Sequence, residues 1–154
     1  MLRRPMSYVG EAYGIRGPGM WLSYSTDLRS WTEPKLVAGP EQAWEGAKIG
    51  GSAPPLRTEA GWLVSYHGVD RNACYCTGFL LLNLEDPTRV LGRTRQPVLR
   101  PEAYYERVGL VIPNVVFPCA NVIHNDRVYL YYGCCDTAIA LATGRVDDLL
   151  EVVL

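Results

Sequence analysis

Glu59-Ala60-Gly61-Trp62-Leu63-Val64-Ser65-Tyr66-His67 sets a turn-forming tripeptide ahead of a run of aromatic and branched side chains. That order is the signature of the second strand of a β-hairpin. Two other stretches read the same way: Met20–Ser25 (MWLSYS) and Val128–Tyr132 (VYLYY), the latter behind the turn His124-Asn125-Asp126. Each hairpin turn implies an upstream partner, Ala53–Arg57 for the strand Trp62–His67 and Cys119–His124 for the strand Val128–Tyr132. The three strands read as copies of one unit. An acidic-leucine signature comes after each: Thr26-Asp27-Leu28, Leu84-Glu85-Asp86 and Val146-Asp147-Asp148-Leu149. Asp27 to Asp86 is 59 positions and Asp86 to Asp147 is 61. Several antiparallel strands per period of this length is the pattern of propeller blades.

Helix is scarce. Asp147–Leu154 is the best candidate, with acidic residues in its first turn. Pro34, Pro40, Pro54-Pro55, Pro97, Pro101, Pro113 and Pro118 punctuate the strands and argue against long regular elements. No low-complexity linker divides the chain, so residues 1–154 are expected to form a single domain. The expected fold is all-β: an incomplete β-propeller of about three blades with a short C-terminal helix. An open arc of blades leaves sheet faces uncovered at its ends, so a homo-oligomer covering those ends is expected.

Composition narrows the function classes. The chain of 154 residues is 48% hydrophobic and 20% charged, with a net charge of −1. Nothing in that balance points to nucleic acid. No apolar stretch approaches the roughly 20 residues that span a bilayer, and Met1-Leu2-Arg3-Arg4-Pro5 has no apolar run behind it, so neither a membrane partner nor a signal peptide is expected. Five cysteines, Cys74, Cys76, Cys119, Cys134 and Cys135, lack zinc-ligand spacing. They read as reduced thiols of a cytoplasmic protein, and no metal site is expected. Ten Tyr and four Trp stand against two Phe. Such rings cover the apolar faces of sugars, and they are also ordinary strand residues; both readings are open.

Four stretches hold the chemistry-bearing residues. They are Arg3-Arg4-Pro5-Met6, Trp44–Gly51, Ser65–Val69, and Pro113–Cys119 with Tyr132–Thr137 behind it. Lys48 lies beside Gly50 and Gly51, where backbone can approach a ligand closely. His67 ends an apolar strand, and Asp136 comes directly after another. Each also fits a structural role, the one as a strand-end histidine and the other as a turn residue.

Three of these patterns, Lys48-Ile49-Gly50 with Pro54-Pro55, Tyr66-His67-Gly68-Val69 and Pro113-Asn114-Val115-Val116-Phe117-Pro118-Cys119, resemble glycoside hydrolase family 130, which includes the inverting β-mannoside phosphorylases. The resemblance runs from about Arg4 to the C-terminus and implies a five-bladed β-propeller with its site in the central cavity. It further implies that Arg4, Lys48 and His67 line a site for inorganic phosphate, the co-substrate; no other cofactor is implied. Fixed cationic donors suit an anionic nucleophile, and an Arg fork matches phosphate oxygens. Asp136 matches a residue that contacts sugar hydroxyls, although Cys134 and Cys135 replace small residues before it. Tyr66 and Asn114 are weaker matches for the substrate-lining set. The implied partners are a mannose-containing oligosaccharide, such as a β-1,4-mannoside or mannosylglucose, and phosphate. Inverting chemistry needs an acid for the leaving oxygen. The family's general acid would precede Met1, so no catalytic residue is assigned, and this chain by itself is expected to be inactive. A non-catalytic sugar or phosphate module, an inactive self-associating remnant and a related glycoside hydrolase are the alternatives.

Overall fold

The computed structural model describes residues Met1–Leu154. It is all-β apart from short helices and contains three antiparallel sheets. The first holds β1 (Leu2–Arg3), β2 (Met20–Leu22) and β3 (Lys35–Ala38) in that order. The second holds β4 (Lys48–Gly51), β5 (Leu56–Arg57), β6 (Trp62–Val69), β7 (Tyr75–Leu82) and β8 (Val90–Arg93), ordered β4-β6-β7-β8 with β5 also paired to β6. The third holds β9 (Val116–His124), β10 (Arg127–Cys134) and β11 (Ala138–Arg145). A four-residue helix α1 (Tyr104–Arg107) precedes β9, and α2 (Val146–Val153) succeeds β11. No helix is long and apolar enough to cross a membrane.

Side-chain alternation explains how the sheets stack. Even positions of β6, Val64 and Tyr66, join Leu80 and Leu82 of β7 and meet Met20, Leu22, Val37 and Ala38 of the first sheet. Odd positions, Leu63 with Phe79 and Leu81, meet Val128, Leu130 and the α2 residues Leu149 and Val153. The second sheet is therefore buried on both faces, and β6 and β7 are buried at every position but their first. Such strands read as unbroken apolar runs, and each fully buried large side chain contributes about 1.5–3 kcal/mol. In β10 burial alternates, because the far face of the third sheet has no neighbour in the chain.

Both expected hairpins are present. Leu56–Arg57 pairs with Trp62–Leu63, and Val116–His124 pairs with β10 through a tight turn in which Asn125 and Asp126 take φ of 48° and 58°, the conformation such two-residue turns require. The expected partner Ala53–Arg57 is shorter, since Pro54 and Pro55 have no N–H to donate. The strand expected over Met20–Ser25 stops at Leu22. Its place in the repeat also differs: β2 leads through the Asp27 turn into an outer strand, as β7 does through the Asp86 turn, so β2 corresponds to β7 and not to the Trp62–His67 strand. The acidic residues are turn devices. Asp27 Oδ1 accepts the N–H groups of Arg29 and Ser30, both at 2.8 Å, and these bonds hold its carboxyl down to about 2. In the third copy the acidic pair opens α2, so a helix succeeds β11 in the chain where the other copies have an outer strand, and it packs against the second sheet.

A second repeat emerges with the structure. Pro40-Glu41-Gln42-Ala43-Trp44-Glu45 and Pro101-Glu102-Ala103-Tyr104-Tyr105-Glu106 lie 61 positions apart. Each forms one helical turn closed by its last glutamate. Glu45 Oε2 accepts the N–H groups of Glu41 and Gln42 at 2.9 Å, and Glu106 Oε2 accepts those of Glu102 and Ala103 at 2.8 Å. Each glutamate then accepts a tyrosine hydroxyl from the next sheet, Tyr66 at 2.5 Å and Tyr132 at 2.7 Å. Arg93 completes the first copy, with Nη2 at 2.7 Å from Glu45 Oε2.

Candidate functional site

β4 is the edge strand of the second sheet, and it pairs Lys48 with Val69 and Gly50 with His67. Arg4, at the end of β1, reaches over Gly50 to the same face, where its Nη1 lies 2.5 Å from His67 Nε2. Glycine makes this crossing possible. A Cβ on residue 50 would fall 2.5 Å from Arg4 Nη1 and 2.8 Å from His67 Cε1.

His67 is 3% exposed. Burial first, and then the charges of Arg4 and Lys48, push its pKa down to about 3, so the ring is neutral at physiological pH. The guanidinium has only donors; Nε2 is therefore the acceptor, and the single ring proton sits on Nδ1. Ser52 Oγ lies 3.0 Å from that nitrogen. Phe117 of β9 packs its ring 4.4 Å from the imidazole, and Tyr75 of β7 lies 6.0 Å away. Lys48 Nζ stands 5.5 Å above the Tyr75 ring. Arg4 and Lys48 are half-buried, and neither forms a salt bridge with any carboxylate of the chain. Two partly desolvated cations beside a neutral imidazole leave local positive charge uncompensated, which favours an anion.

The remaining sequence-derived residues divide. Tyr66 is adjacent to His67 and faces the opposite side of the strand. It is fully buried, its hydroxyl engaged by Glu45, and burial followed by that carboxylate pushes its pKa upward. In this chain Tyr66 is a support of the second sheet, and no part of its ring is open to a sugar. Asn114 is half-buried at φ 60°, and its carbonyl accepts the N–H of Tyr75 at 2.9 Å, which seats the entry to β9 against the cluster. Asp136 is exposed in the turn after β10; the pairing of Cys134 with Val116 puts that turn at the Phe117 end of the third sheet. No group of three His, Cys, Asp or Glu side chains converges to hold a metal. A separate, mostly apolar cleft of about 630 Å³ includes Tyr24, Trp31 and Trp62 in its wall and reaches Gly51 and Ser52 at its edge.

Phe117, Tyr75 and Ser52 join the site without having stood out as candidates in the sequence. Phe117 lies within the Pro113–Cys119 motif, whereas Tyr75 and Ser52 carry no local signal. Their roles arise only from the docking of β9 on β7 and from the pairing of β4 with β6.

Stacked antiparallel sheets with Arg4 and Lys48 gathered beside a neutral His67 at an edge strand define the general class: an all-β protein with a cationic cluster unpaired by carboxylates. The family model for β-1,4-mannooligosaccharide phosphorylase, glycoside hydrolase family 130, matches residues 12–154. The chain belongs to this family. It is 42% identical over 135 residues to a 1,2-β-oligomannan phosphorylase of Thermoanaerobacter sp., covering 87% of this chain and 45% of that protein. Against the β-1,4-mannooligosaccharide phosphorylase of Ruminococcus albus, identity is 40% over 161 residues, covering 99% and 46%. The structure of the β-1,2-mannobiose phosphorylase of Listeria innocua in complex with β-1,2-mannobiose superposes with a TM-score of 0.87 at 34% identity, covering 99% of this chain and 42% of that one. The chain thus spans less than half the length of the relatives it matches.

Proposed function

We infer that this chain supplies the phosphate-holding part of an inverting mannoside phosphorylase. The observation that carries this reading is the convergence of Arg4 and Lys48, both without a carboxylate partner, on a neutral His67. In this reading Arg4 and Lys48 hold inorganic phosphate beneath the anomeric carbon of a mannosyl unit, beside His67. A phosphate oxygen forms the new bond to that carbon while the glycosidic C–O bond breaks. The leaving oxygen takes a proton from a general acid, and the products are mannose 1-phosphate and the shortened saccharide. Asp136 and the Asn114 turn contribute to the sugar side of the cleft, with Tyr66 behind them as support.

The 154 residues make up one domain in this reading, an arc of a five-bladed propeller. The general acid comes from polypeptide outside the arc, corresponding to the remaining length of the relatives. The outer face of the third sheet, with Val122, Tyr131, Ile139 and Leu141 exposed, is where that polypeptide packs. Its apolar character also favours a second reading, in which two copies of the chain cover it; sedimentation at micromolar concentration separates the two.

The test is to incubate the chain, alone and with a polypeptide carrying the rest of a relative's length, with β-1,2- or β-1,4-mannobiose and phosphate. Mannose 1-phosphate is expected only in the mixture, and it is expected to disappear with Lys48→Ala. Product formation indifferent to Lys48 and Arg4 would overturn the reading.

A further inference from the structure

His67 can do its work beside Arg4 only in one tautomer, and the chain contains a device that selects it. Nε2 faces a donor-only guanidinium, so it must be the unprotonated nitrogen, and the proton must reside on Nδ1. The groups around the ring are Arg4 and Lys48, which are cations, the rings of Tyr75 and Phe117, and the bare backbone of Gly50. None of these accepts from Nδ1. The Ser52 hydroxyl does, at 3.0 Å.

We propose that Ser52 is a positioning residue of the cluster: its hydroxyl accepts the Nδ1 proton of His67 and so keeps Nε2 turned toward Arg4 and the anion. Ser52 is itself held by its backbone N–H, which donates to Ser65 O at 3.2 Å and extends the β4–β6 pairing one step past Gly51. In the neutral ring the bond fixes the acceptor at Nε2 for Arg4 and so holds the guanidinium in place beside the anion. The anion half of this statement rests on the proposed function; the tautomer does not.

The experiment is long-range ¹H–¹⁵N NMR of the ¹⁵N-histidine-labelled chain, in wild type, Ser52→Ala and Ser52→Thr. The exposed His124, the only other histidine, is the internal reference. Wild type and Ser52→Thr are expected to show His67 as a single species protonated on Nδ1. Ser52→Ala is expected to show a mixture, with phosphate affinity about five- to tenfold weaker, the value of one hydrogen bond. A wild-type proton on Nε2, or an unchanged Nδ1 tautomer in Ser52→Ala, overturns the role given to Ser52. If the tautomer shifts as expected but phosphate moves neither wild type nor variant, the positioning role stands and the phosphate reading fails.

Discussion

Replacing Glu45 with Ala is expected to lower the unfolding free energy by about 3–5 kcal/mol, the cost of leaving one partner of a buried ion pair alone. Domains of this size are stable by about 5–15 kcal/mol, so the variant should lie near the edge of folding. The reason is how much one carboxylate satisfies. It accepts two N–H groups at the head of its own helical turn and the Tyr66 hydroxyl, and it pairs with Arg93, whose side chain is 9% exposed. The remaining Arg93 partners, Gly39 O at 3.0 Å, the Tyr66 hydroxyl at 3.3 Å and the exposed Glu41 at 3.1 Å, do not replace it. Glu106→Ala is the natural control, because its copy of the element lacks the arginine. Its expected cost is about 1–3 kcal/mol, that of unsatisfied polar groups alone. Urea unfolding of both variants measures the difference. A Glu45→Ala loss no larger than that of Glu106→Ala would show that the arginine pair adds nothing.

Gly50→Ala is expected to do the opposite: leave the fold standing and disable the cluster. The new methyl group meets the far end of the Arg4 side chain and the His67 ring, and no backbone atom is among its near neighbours. Arg4 can swing away, but the His67 ring is buried against Phe117 and Tyr75, so the overpacking is expected to cost about 1–3 kcal/mol, which a domain of this stability tolerates. Phosphate affinity, however, depends on where the guanidinium ends. Losing its charge-assisted bonds to the anion should weaken binding by about 10- to 150-fold, equivalent to 1.5–3 kcal/mol. Calorimetric titration with phosphate, alongside thermal unfolding, checks both halves. Wild-type affinity in a folded Gly50→Ala chain would mean that Arg4 does not hold the anion.

Much of the architecture was legible because strand physics is local. Trp62–His67 and Val128–Tyr132 announced themselves by branched and aromatic side chains behind turn residues, and both hairpins formed as expected. β4 was hidden, since Lys48-Ile49-Gly50-Gly51 has the glycines of a loop; it is a strand because β6 offers it a partner, and its glycine is there to let Arg4 pass. β2 carries the side-chain pattern of β6 but the downstream turn of β7, and the turn is the better guide to its place in the repeat. The paired elements ending in Glu45 and Glu106 were readable at their 61-residue spacing, the same period as the acidic turns. Tyr66 was also decidable in advance. It neighbours His67 in a strand, and neighbours in a strand face opposite sides, so the two could not both line one cavity. The contributions of Phe117, Tyr75 and Ser52 were not readable, because each depends on which strands of different hairpins or sheets come together.

Everything functional here turns on whether Arg4, Lys48 and His67 receive phosphate. Titration of the ¹⁵N-histidine-labelled chain with inorganic phosphate addresses this directly, with Lys48→Ala alongside. A saturable shift of the His67 resonances with His124 unmoved is expected, lost or greatly weakened in the variant. Resonances of His67 that stay in place at high phosphate, in a chain shown to be folded, would contradict it.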